Sequence, residues 1–177
     1  MAQASDLIGT YAPESLMIVI SHPTIGSHVI NGTADGSFIN ITREVPASGL
    51  YVGSDLTAAR VVRGNRASTV GVTLHQASES NDVLALLLEY DQEVRSNAGL
   101  FSITIKDASG RSEWHSPQAF IAQEPDRSFG VDIENREWMI QCVSLKGRIG
   151  GNAQITPSTI AAIEALGGTV TDQWRTN

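Results

Sequence analysis

Short runs of β-branched and aromatic residues, each closed by a turn signal, recur along this chain and restrict it to a mainly β fold. The first, residues 16–21, ends at His22-Pro23, and the second, residues 26–30, ends at Asn31-Gly32, so the pair reads as a hairpin or meander. Past an Asp35-Gly36 turn, residues 37–42 place Ile39 and Ile41 in alternation with Asn40 and Thr42, the mark of a half-buried strand. Residues 68–75 repeat the pattern, with Val70, Val72 and Leu74 on one face and Thr69, Gly71 and Thr73 on the other. Further strands are expected over residues 100–106 and 114–122, where Pro117 suggests an edge or a bulge, and over 128–145, as one bent strand or two.

Two segments depart from this pattern. From residue 43 to 67 the alternation fades among Pro46, Gly49, Gly53 and Gly64, leaving a loop longer than an ordinary connection. Residues 80–95 instead carry the one long helical period: Val83, Leu84, Leu87, Leu88 and Val94 form a stripe, and Asp82, Glu89, Asp91 and Glu93 largely fill the remainder. Ser78 or Ser80 supplies the N-cap. After the break at residues 146–152, Thr156 and Pro157 open a short helix whose Ile160, Ile163 and Leu166 make a small apolar face before Gly167-Gly168 stops it. The organisation expected is a β domain over residues 1–152 and a C-terminal extension over 153–177, packed on that domain or on a neighbour.

Composition narrows what such a fold can do. A chain of 177 residues, 41% apolar and 18% charged, fills one ordinary core. Its net charge of -7 repels phosphate backbones, which argues against stable nucleic-acid binding. Cys142, the single cysteine, lies in an apolar run and reads as a small buried hydrophobe. Residues 1–6 lack the basic start and apolar stretch of a signal peptide, and no run approaches a membrane span, so synthesis in a cytoplasm and no membrane anchor are expected.

Catalytic chemistry finds no foothold. His22, His28, His75 and His115 have no metal-site spacing and no cysteine cluster beside them. The helix carboxylates lie where a solvated face needs them, and residues 147–151 lack the Gly-Lys-Ser/Thr of a phosphate loop. No enzyme activity, metal or cofactor is expected. The 43–67 loop is different, because it gathers Arg60, Arg63 and Arg66 in an acidic protein, together with apolar Leu50, Tyr51, Val52, Val61 and Val62 that a free loop would expose.

Three stretches, in order, carry a resemblance: residues 11–42, from Tyr11-Ala-Pro-Glu-Ser15 through the Ala34-Asp-Gly-Ser-Phe-Ile-Asn-Ile41 turn and strand; residues 66–84, a strand running into the capped helix; and residues 129–142, closing at Gly150-Gly-Asn152. Together they resemble the tail tube proteins of contractile-tailed bacteriophages in their short, single-domain form. The resemblance implies an antiparallel β-sandwich or distorted barrel with one flanking helix and a short C-terminal helical extension. It also implies a virion structural protein whose hexameric rings stack into a hollow conduit for DNA delivery. Its partners would be further copies of itself, with tail sheath outside and baseplate proteins at the end, and DNA would pass without specific binding. A baseplate hub or tube-end protein of the same fold is the alternative within this class, and a small β-sandwich binding module the alternative outside it. On the tube reading, Leu50, Tyr51, Val52, Arg60, Val61, Val62, Arg63 and Arg66 form the inter-subunit loop, and Asn40, Thr42, Thr69 and Thr73 face the lumen.

Overall fold

The computed structural model describes residues 8–176, so the reading of residues 1–6 lies outside the described residues. Two compact units emerge from the chain: a larger one of Ile18–Ile105 with Trp114–Gly147, and a smaller one of residues 8–17, Lys106–Glu113 and 148–176.

The larger unit is built on an antiparallel sheet. In chain order its strands are β1 (Leu16–His22), β2 (Gly26–Val29), β3 (Ile39–Arg43), β6 (Ser68–His75), β7 (Phe101–Asp107), β8 (Glu113–Gln123), β9 (Asn135–Cys142) and β10 (Lys146–Arg148); β4 (Ser48–Val52) and β5 (Ala58–Val62) form a separate two-stranded sheet. The main sheet runs β2-β1-β7-β8-β9-β6-β3, and β10 pairs with β8. Its two ends are bridged by the chain that leaves β2. Ile30 donates to Ile18 O on β1 at 2.8 Å, and then Gly32 O and Thr73 O on and beside β6 exchange bonds with His75 N and Ala34 N, each at 2.9 Å. The sheet is mainly antiparallel β as the strand pattern indicates, and the bridge gives it the distorted-barrel form among the two that the resemblance implies. Gly32 is required at the crossing: its φ is +67°, and a Cβ there would sit 2.6 Å from that of Ser78.

Alternation along the strands fills the interior. Ile18 and Ile20, Val70, Val72 and Leu74, Phe101, Ile103 and Ile105, and Trp138, Ile140 and Cys142 are all buried. Burial pushes the Cys142 thiol up to about 11, against a weaker lowering contact from Ser116, so it is an inert core side chain. One helix, α1 (Ser80–Val94), covers the core with Leu84 and Leu87. Neither serine expected as its cap holds that position: Glu79 is the N-cap and makes no side-chain capping bond, the Ser78 hydroxyl accepts from Ser80 N at 3.2 Å one residue earlier, and the Ser80 hydroxyl is spent on Asn31 and His28.

Three expectations need correction. Residues 43–67 are not a loop, because β4 and β5 pair within them. β8 is interior, between β7 and β9, so Pro117 does not mark an edge; the strand's irregularity is a register shift between Ile121 and Gln123. Residues 128–134, whose Phe129, Val131 and Ile133 alternate like a strand, stay outside the sheet and exposed.

The smaller unit has its own apolar cluster, Ile155, Ile160 and Val170, with Ile163 and Trp174 against it. Helix α2 (Pro157–Ala165) begins with Pro157 as the sequence indicates, although the Thr156 side chain makes no capping bond to the helix backbone. Trp174 is held from both sides of the chain: Ile155 N donates to its carbonyl at 2.7 Å, and the Arg111 guanidinium lies 4.6 Å from its ring centre while donating to Ala153 O. Asp107 accepts from Ser109 N, Ser109 Oγ and Asn152 Nδ2. Burial alone would raise its pKa, and these bonds hold the carboxyl below the usual value instead.

Candidate assembly surfaces

Three of the four histidines, His22, His28 and His115, are each held by their own side-chain hydrogen bonds. His22 Nε2 meets Ala98 O at 2.7 Å while its Nδ1 accepts from Thr24 N; His28 bonds Ser80 Oγ, and His115 bonds Thr104 Oγ1. Among the described residues, no group of three or more His, Cys, Asp or Glu is placed to hold a metal ion. The features that stand out are surfaces.

The β4–β5 hairpin is the first. Its register pairs Ser48 with Val62, Leu50 with Arg60, Tyr51 with Ala59 and Val52 with Ala58, so Leu50, Val52, Val62 and Arg60 share one face. Tyr51 and Val61 lie on the other. Neither face is covered: Leu50 is 74% exposed, Val62 69%, and Leu56 at the tip 84%. Leu56 also sits at φ +66°, a left-handed conformation that costs an L-residue roughly 1–2 kcal/mol. Asp55 holds the tip by accepting from Thr57 N and Thr57 Oγ1. At the root, the ladder from β3 and β6 continues, with Glu44 N donating to Ala67 O and Arg63 N to Ala47 O, and Arg43 donates to the carbonyls of Arg63 and Asn65. The stem is therefore fixed to the sheet while the blades project. A two-stranded ribbon without a covered face is marginal in water. Arg60, Arg63 and Arg66 make no ion pair among the described residues.

The second surface is the sheet face turned away from the core. Thr42 lies opposite Thr69, Asn40 opposite Gly71, Thr69 opposite Gln141, and Thr73 opposite Glu137. All four residues singled out for a channel wall thus share one polar face, and Thr69 Oγ1 donates to Gln141 Oε1 at 3.0 Å. Glu137 and Gln141 extend that face and were missed in sequence, because they fall in a stretch read only for its apolar residues. On the opposite side of the same strands Val70 and Val72 are wholly buried, with Ile39 and Ile41 half-buried beside them.

A third surface lies beside α1. Here His22, Thr24, Ile25, Ser27 and His28 face Val83, Leu86, Leu87 and Tyr90 across a groove of about 380 Å³. His22 meets Tyr90 edge to face at 5.5 Å, closing the groove floor. Leu86 stands 64% exposed on its rim.

Comparison with known proteins places these surfaces in context. A profile of the family described as Bacteriophage PhiTE tail tube protein matches residues 8–150. The "Structural protein ORF10" of Pseudomonas phage KPP10 is 39% identical over 166 residues, covering 93% of this chain and 96% of that one. That share extends past Asn152, so the relative's likeness reaches into the C-terminal segment. Among solved structures, the chain is similar to the SPP1 tail tube at a TM-score of 0.52 with 10% identity, over 92% of this chain and 88% of that one. It is also similar to a chain of the PVC sheath-tube complex, an extracellular contractile injection system in its extended state, at a TM-score of 0.50 with 11% identity, over 84% of this chain and 99% of that one. At such identities the two structures speak for a common fold.

Proposed function

The chain belongs to the bacteriophage PhiTE tail tube protein family, and we propose that it builds the inner tube of a contractile tail, as hexameric rings stacked into a hollow conduit for DNA delivery. It is a virion structural protein and not an enzyme. The observation that carries the stacked-tube reading is the β4–β5 hairpin, which exposes apolar side chains on both faces and is anchored only at its root. A repeating assembly supplies each hairpin with a surface on the next copy.

On this reading Leu50, Tyr51, Val52, Val61 and Val62 contribute most of the affinity between subunits, and Arg60, Arg63 and Arg66 set register through forked bonds to carboxylates. Exposed ion pairs add only about 0–1 kcal/mol each, so the apolar contacts dominate. Asn40, Thr42, Thr69 and Thr73 line the lumen. Six copies at -7 each would bring -42 to a ring, and an acidic passage whose polar wall includes Glu137 gives DNA no phosphate contacts to hold it back. Tail sheath surrounds the tube and baseplate proteins terminate it. Residues 153–177 stabilise the smaller unit of the subunit that carries them.

Electron microscopy of the purified protein tests the reading. Hollow tubes of uniform diameter are expected. Single rings that never stack would move the protein to a tube-end role, and persistent monomers would contradict the proposal.

A further inference from the structure

The tube reading leaves open where a hairpin lands. We infer that the β4–β5 hairpin of one copy docks along α1 of a second copy, with Leu50, Val52 and Val62 in the groove between α1 and the β1–β2 turn and Arg60 on the acidic rim of that helix. The inference rests on the stacked-tube reading for the presence of a second copy and goes beyond it in naming the receptor.

Shape supports the pairing. The hairpin strands have five residues each, about 17 Å at the usual rise of a strand, and α1 has 15 residues, about 22 Å long. Ile25, Val83, Leu86, Leu87 and Tyr90 give the groove its apolar lining. The hairpin face offers Leu50, Val52 and Val62 side by side.

Charge supports this receptor. Asp82, Leu86, Glu89 and Glu93 succeed one another at spacings of four, three and four, so an acidic stripe runs beside the groove with Leu86 within it. All four are exposed, and none of these carboxylates forms an ion pair among the described residues. The last turn of α1 contains no basic residue, so Glu89 and Glu93 lie toward the negative end of the helix dipole, where a cation is favoured. Arg95, just beyond, donates its Nε–H to Gln92 O. A second copy can bring the missing cation: Arg60 stands opposite Leu50 on the same hairpin face that carries the apolar side chains. Arg60 on the projecting hairpin and the carboxylates of Asp82, Glu89 and Glu93 beside the α1 groove, none of them in an ion pair among the described residues, are thus complementary.

Cysteine cross-linking between full-length proteins tests this. Leu50→Cys in one protein and Leu86→Cys in a second, tagged protein place thiols on the two proposed surfaces, and the buried native Cys142 does not compete in mild oxidation near pH 8. Mixed under assembly conditions, the two should form a heterodisulfide at least tenfold above a control pair of Leu50→Cys with Ala161→Cys, on the exposed side of α2. Tubes in the same sample with cross-linking at the control level would overturn the docking and leave the tube reading standing. Absence of any assembly, with or without the substitutions, would overturn both.

Discussion

Replacing residues 48–62 with an Asn-Gly turn is expected to give a folded subunit that no longer polymerises. The cut is available because Arg63 N already donates to Ala47 O at 2.9 Å, which places the two ends a hairpin turn apart. Nothing of the core is lost, since no residue of β4 or β5 is buried and both lie outside the main sheet. The melting temperature should therefore move by no more than a few degrees. Assembly should suffer far more. Full burial of Leu50, Val52 and Val62 contributes about 1.5–3 kcal/mol each before ordering costs, so even a third of that sum amounts to about ten- to a hundredfold in association at 1.4 kcal/mol per decade. Sedimentation should show subunits at concentrations where the unmodified protein is in tubes. Arg63→Glu should weaken assembly less, and mostly at low salt. Tubes of normal length from the shortened protein would refute the assignment of the hairpin.

Trp138→Ala should produce the largest loss of stability from a single side chain. Trp138 is buried on β9 opposite Val72, and its Nε1–H donates to Asn81 Oδ1 at 2.9 Å. The Asn81 amide in turn donates to His75 O and Ser78 O, both at 3.1 Å, so this indole ties the first turn of α1 to the end of β6. Truncation removes the packing and leaves the Asn81 carbonyl without its partner, a combined cost of about 3–5 kcal/mol. For a chain of this size that corresponds to a fall of roughly 6–20 °C in melting temperature. Trp138→Phe keeps much of the apolar volume and should lose about 1–2 kcal/mol. Thermal unfolding followed by circular dichroism checks both, and equal stability for the Ala variant and the unmodified protein would refute the role.

The strands and helix that could be read from sequence are those with one buried face. β3, β6 and β7 alternate because the core lies on one side of each, and α1 shows its stripe because Leu84 and Leu87 must reach that core. β4 and β5 escaped because neither face of the hairpin is buried in the subunit. Leu50, Tyr51 and Val52 are consecutive, as are Val61 and Val62, so no period of two could emerge, and glycines nearby read as loop. The converse error arose at Phe129, Val131 and Ile133, where alternation is present but β6 and β8 already flank β9 and leave no place for the segment. Pattern records which side of a segment is apolar, and it does not record which partner covers it. The same reasoning explains the surfaces: the polar face of β3 and β6 was visible residue by residue, whereas the α1 groove exists only where the β1–β2 turn meets the helix.

A cryo-EM reconstruction of tubes assembled from the purified protein tests the central claim most directly. The account predicts stacked six-membered rings whose lumen is lined by Asn40, Thr42, Thr69 and Thr73, with each β4–β5 hairpin crossing to a subunit of the adjoining ring. A lumen lined by α1, or a hairpin left in solvent between rings, would contradict it.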